Sequence, residues 1–118
     1  MRDFRKYVAW KNAIEISMSV YEITRSFPVD EKFGLSSQLR RAAVSIASNI
    51  AEGASRSSEI DFARFLEIAL GSAFEVETQI TMASLLGYLA KKEYSAFMAK
   101  LTVLQKQINS LISRIRKV

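Results

Sequence analysis

The chain has 118 residues, enough for one modest hydrophobic core and too few for two comfortable ones, so a single domain spanning residues 1–118 is expected. Apolar residues make up 49% and charged residues 25%, with no long uncharged apolar run, so neither a membrane-spanning helix nor, given the mixed N-terminus MRDFRKYVAWKN, a secretory leader is expected. The net charge is +5 and the chain has no His and no Cys, which removes His-based triads, thiol nucleophiles, Cys/His zinc sites and the Glu-x-x-His di-iron motif, and fits the cytoplasm.

One Pro and four Gly punctuate the chain, and the windows between them carry helical periodicity, which predicts an all-α fold. In the first helix Ala13, Ile16, Val20, Ile23 and Phe27 keep three-four spacing, widened by Trp10, Ile14 and Tyr21, until Pro28 ends it. The second carries Leu35, Leu39, Ala42, Ile46, Ile50 and Gly53, with Gly53 expected as a left-handed C-terminal stop. Ser58 followed by Asp61 resembles a capping box that starts the third helix. Its stripe runs through Phe62, Leu66, Ala69, Ala73, Val76, Ile80, Ala83 and Gly87, and Gly71-Ser72 in mid-helix predicts the close approach of a neighbouring backbone. The fourth helix repeats the spacing through Tyr94, Phe97, Leu101, Leu104, Ile108, Leu111 and Ile115. Such stripes suit shallow crossing angles, so an antiparallel up-down-up-down four-helix bundle is expected, with helices of about 25 residues, on the order of 37 Å long.

The charge is concentrated at the chain ends. Residues 1 to 12 hold four basic and one acidic side chain, and residues 99 to 118 hold five basic and none acidic, which leaves the middle net acidic. In an up-down bundle both ends and the second connection share a pole, so Arg2, Arg5, Lys6, Lys11, Arg56, Arg114, Arg116 and Lys117 are candidates for a surface that attracts nucleic-acid phosphates. The macrodipole alone also favours basic residues near helix C-termini. No strand-borne aromatics, Gly-X-X-Gly loop or recognition helix accompanies the charge, so contact with backbone or shape is expected, without base reading. A membrane surface fits less well, because the last helix needs its apolar seam for the core.

The stretch RRAAVSIASNIAEGASR combines small and polar residues. On a wheel centred on Ile46, the residues Leu39, Ala42, Ile50 and Gly53 form the core face. Val44, Ala47 and Ala51 sit on the other side beside Arg40, a second small apolar surface that predicts a subunit interface, and Arg41, Ser45, Ser48 and Glu52 form a polar strip. Asn49, at the edge of the core stripe, is expected to hydrogen-bond to a neighbouring helix or loop. Arg40, Arg41, Asn49 and Glu52 are therefore read as interface or structural polar residues. Glu52 lacks a second carboxylate within one turn, and Glu75 and Glu77 point to different sides of their helix. No catalytic, cofactor-binding or metal-ligating residue is assigned, and no cofactor is expected.

The segments Val8-Ala9-Trp10-Lys11, Ser26-Phe27-Pro28, Phe33-Gly34-Leu35, Gln38-Leu39-Arg40-Arg41-Ala42, Ser48-Asn49-Ile50-Ala51-Glu52-Gly53 and Gly71-Ser72 together resemble the four-helix-bundle family of large-subunit ribosomal RNA intervening-sequence proteins. The resemblance covers nearly the whole chain. It implies an up-down bundle that assembles into a small ring, a pentamer, and a relationship to accessory proteins of diversity-generating retroelements, which contact a reverse transcriptase and nucleic acid through basic surfaces. It implies no enzymatic activity. Taken together, the expected function is a non-enzymatic homo-oligomeric bundle that binds RNA or DNA backbone and can act as scaffold for a protein partner; the alternative is a protein-interaction scaffold without nucleic-acid binding.

Overall fold

The apolar stripes fold as four helices in the computed structural model, which describes residues 2–117: α1 Val8–Thr24, α2 Leu35–Ala54, α3 Glu59–Leu85 and α4 Lys91–Arg116. Met1 and Val118 lie outside the described residues. Single 3-10 turns at Phe4–Lys6 and Val29–Glu31 precede α1 and α2. The first two helices are shorter than the expected 25 residues, at 17 and 20. α1 stops at Thr24, whose Oγ1 donates to Val20 O at 2.7 Å. Phe27 is not the last helical residue; it docks separately, buried against the ring of Tyr88 at 5.3 Å.

Polar bonds between helices fix their directions. Asn12, near the start of α1, reaches Gln107 in the second half of α4, and Thr81, near the end of α3, reaches Tyr94 at the start of α4. Arg40, early in α2, reaches Thr24 at the end of α1. Neighbours are thus antiparallel, and α4 closes back on α1, while the diagonal pairs α1–α3 and α2–α4 make no close backbone approach among the described residues. Leu66, Ile80, Leu101, Leu104 and Ile108 are wholly buried along the centre, each contributing about 1.5–3 kcal/mol by transfer from water.

Two glycines have roles other than those the spacing predicts. Gly53 is not a left-handed stop: it is helical and buried, and a Cβ added there would come within 2.6 Å of Phe65 Cβ, so its missing side chain is what lets α3 approach α2. The left-handed position is Gly87, with φ 81°, and it is not part of the core stripe. Gly87 N donates to Ser84 O and Tyr88 N to Ala83 O, a Schellman closure of α3. The predicted start of α3 holds in one direction, with Asp61 N donating to Ser58 Oγ at 3.0 Å. Gly71 is exposed with open space where a Cβ would sit, so the expected backbone approach is absent there, and the contact belongs to the adjacent Ser72.

Candidate nucleic-acid interface

The α1–α4 seam is the open side of the bundle. Grooves lie along it from Ile23 and Phe97 at one end, past Ile16 and Val103, to Lys6 and Arg114 at the other. The first two include Glu22, Glu93 or Glu15 beside Lys100, so their charge is mixed. The last, about 460 Å³, is lined by Lys6, Lys106 and Arg114 with no carboxylate.

Local structure explains that convergence. Lys106, Ser110 and Arg114 recur at four-residue intervals and so share one face of α4. Lys6 is set opposite them by the first 3-10 turn, which Asp3 caps by accepting from Arg5 N at 3.1 Å. The floor is Ala9 and Leu111, both buried, and the small Ala9 leaves the space. Asn12 Nδ2 donating to Gln107 Oε1 at 2.8 Å spans the same seam. All three cations are exposed and none pairs with a carboxylate among the described residues. Three unpaired cations around a groove form an anion-attracting surface whose strength depends on salt.

The other sequence candidates for phosphate contact divide sharply. Arg2 pairs with Glu59, donates to the carbonyls of Ala54 and Arg56, and lies over the ring of Phe62 at 4.6 Å, so it fastens the N-terminus to the α2–α3 connection. Arg5 pairs with Asp3, Arg56 with Glu52 at 2.9 Å, and Arg116 with Glu67 at 2.8 Å. Hydrogen bonding from Arg116 holds the Glu67 carboxyl below its ordinary pKa and raises that of Arg116. Lys11 and Lys117 are exposed and unpaired among the described residues. Lys106, three turns from the chain end, is not among the sequence candidates; its four-residue spacing to Ser110 and Arg114 is the signal that places it with them.

The small-residue helix α2 is mostly structural. Ala47 is 6% exposed and belongs to the core, which corrects its assignment to an outer face: α2 has α1 on one side and α3 on the other, so small residues on both sides of it are buried. Val44 remains exposed and Ala51 half-buried. Asn49 makes no side-chain hydrogen bond to a neighbouring helix among the described residues. Its Nδ2 donates to Ser45 O and Oγ within α2, and it is Ser45 Oγ that crosses to Ser72 Oγ on α3 at 2.9 Å. Glu52 is exposed and engaged by Arg56. Arg40 donates through Nε to Thr24 Oγ1 at 2.8 Å and stacks over Tyr21, whereas Arg41 is exposed with no hydrogen bond or ion pair among the described residues.

Among the described residues no group of three acidic side chains converges as a metal site would require, and no helix is long and apolar enough to cross a membrane.

A family model described as "23S rRNA-intervening sequence protein" matches residues 5–110. The crystal structure of a protein with unknown function from the S23 ribosomal protein family, from Bacteroides thetaiotaomicron VPI-5482, superposes with a TM-score of 0.82 at 25% identity, covering 90% of this chain and 96% of that one. No curated protein matches the chain.

Proposed function

The chain belongs to the 23S rRNA-intervening sequence protein family, and from that premise we propose that it is a non-catalytic, cytoplasmic nucleic-acid-binding bundle that holds RNA or DNA backbone in the α1–α4 groove. The observation that carries the reading is the groove of Lys6, Lys106 and Arg114, three cations from two separate segments that face one opening without a carboxylate among its lining residues. Phosphate oxygens are the natural occupants, because they take Lys as a point charge and Arg as a fork, and because each neutralised phosphate releases counterions. The aromatic residue lining the groove, Tyr7, is half-buried with its ring edge-on to Phe62 at 5.7 Å, so binding is to the backbone, without sequence choice.

Assembly into a homo-oligomer, a ring by the family resemblance, is the second element of the proposal. Phe74, Thr78, Met82 and Leu85 recur at three-four spacing and are exposed, Leu85 at 84%, so α3 carries an outward apolar stripe on the side away from the core. A second copy covering that stripe would bury it, and copies arranged around a closed axis would repeat the basic groove at each subunit.

Fluorescence anisotropy with generic RNA and DNA duplexes tests the binding. Affinity at about 50 mM salt that falls steeply toward 200 mM is the expected result; absence of binding at low salt rejects it.

A further inference from the structure

A second surface combines cations with aromatics, near the α1–α2 connection and so toward the pole opposite the chain ends. Tyr21, Lys32, Phe33, Arg40, Arg41 and Val44 line a groove of about 580 Å³ that includes no carboxylate. Phe33 is 89% exposed, in the loop ahead of α2, an unusual place for the largest apolar ring of that segment. The Lys32 ammonium lies 5.5 Å from its ring centroid. Arg40 is fixed through Nε to Thr24 and by its stack on Tyr21, so its terminal nitrogens are held at a set position, without hydrogen-bond partners among the described residues. Arg41, one residue on, is exposed and unpaired among the described residues.

We propose that this groove binds an unpaired nucleotide of a single strand, its base stacked on Phe33 and its flanking phosphates held by Arg40 and Arg41. The pairing of chemistries selects the ligand. A duplex has its base faces covered and gains nothing from an exposed phenyl ring. A run of aspartate or glutamate uses the cations but carries no aromatic face for the ring. A single-stranded nucleotide uses both, since every base has a π-face and every linkage a charge. The inference rests on the nucleic-acid reading above and adds to it a preference that the α1–α4 groove does not supply.

The test uses the full chain at about 50 mM salt with three fluorescein-labelled probes: a uridine 12-mer, a 12-base-pair RNA duplex and an oligoglutamate peptide. Phe33→Ala is expected to weaken the uridine strand roughly tenfold, the order of one stacked base, and to leave the duplex unchanged, while Phe33→Tyr restores the strand. Because Phe33 is almost fully exposed, both variants should keep the wild-type circular dichroism spectrum. If Phe33→Ala binds the strand as wild type does, or loses strand and duplex equally, this inference falls alone. If the peptide binds as tightly as the strand and depends equally on Phe33, the groove is a peptide site and the inference falls. If wild type binds neither RNA, it falls together with the reading on which it rests.

Discussion

The two opposite seams of the bundle are built by contrary means. Between α2 and α3 side chains are removed: Gly53 gives Phe65 its place, Ser45 meets Ser72 hydroxyl to hydroxyl, and Ala42, Ala43 and Ala73 are buried, so the backbones come close. Between α1 and α4 the contact is sparser, bridged by the amides of Asn12 and Gln107, and grooves remain along its length. Small residues mark the closely packed side, and long polar ones mark the side where grooves remain. In the stretch that looks most like a site in sequence, Ser45 to Gly53 is therefore scaffold, and the basic groove of the open seam is assembled from residues about 100 positions apart in the chain.

The contrast can be broken at several strengths. The tight seam holds the inner face of α3 so that its outer stripe is presented, and Phe74→Glu on that stripe is expected to convert an assembly into a 13.3 kDa monomer by light scattering at micromolar concentration, with helicity intact. A wild-type monomer would remove the stripe as an interface. Within the tight seam itself, Gly53→Ala should cost about 1–3 kcal/mol in urea unfolding, as overpacking does, because the new methyl meets Phe65 and the backbone carbonyl of Phe62. The matching enlargement on the open seam, Ala99→Leu beside exposed Val103, should change stability by no more than about 0.5 kcal/mol. Equal costs would mean that the seams do not differ.

The smallest effect concerns the pole where the loop before α2 meets the end of α3. Glu31 accepts from Leu35 N at 3.0 Å and from the Tyr88 hydroxyl at 2.8 Å, and these bonds hold its carboxyl below the ordinary value and raise the phenol's. A depressed folded pKa contributes stability that is fully present above the unfolded carboxylate value of about 4.3 and is lost as pH falls through the lower folded value. The stability difference between wild type and Tyr88→Phe should accordingly be constant near neutrality and narrow in acid below that value, as measured by denaturant unfolding across pH. A gap that widens in acid would contradict the assignment.

The fold was legible because it is written in local spacing. The stripes through Ala13 to Val20, Leu39 to Ile50, Phe62 to Ala83 and Phe97 to Leu111 are all buried, as three-four periodicity requires. What local spacing could not show is which neighbour fills each space. Gly53 and Gly87 exchange their expected roles, since both end an apolar stripe and only the partner helix distinguishes a close approach from a left-handed turn. Ala47 likewise reads as an outer residue until α1 and α3 are both seen to flank α2. The chain ends and the α2–α3 connection share a pole, as the up-down order predicts, but the pairing of the basic residues there with Glu52, Glu59 and Glu67 depends on rotamers and distances that no charge count contains.

On the proposed function, the unpaired cations on the open seam, and not the total charge, bind nucleic acid. The direct measurement compares the salt dependence of RNA-duplex binding for Lys6→Glu/Lys106→Glu/Arg114→Glu with that for Arg5→Glu/Arg56→Glu/Arg116→Glu, two variants of identical net charge. The first is expected to lose most of its affinity at low salt and to flatten the slope of log K against log salt by about three contacts' worth, roughly 2.7, while the second, folded, keeps a slope close to wild type. Equal losses in the two variants would contradict it.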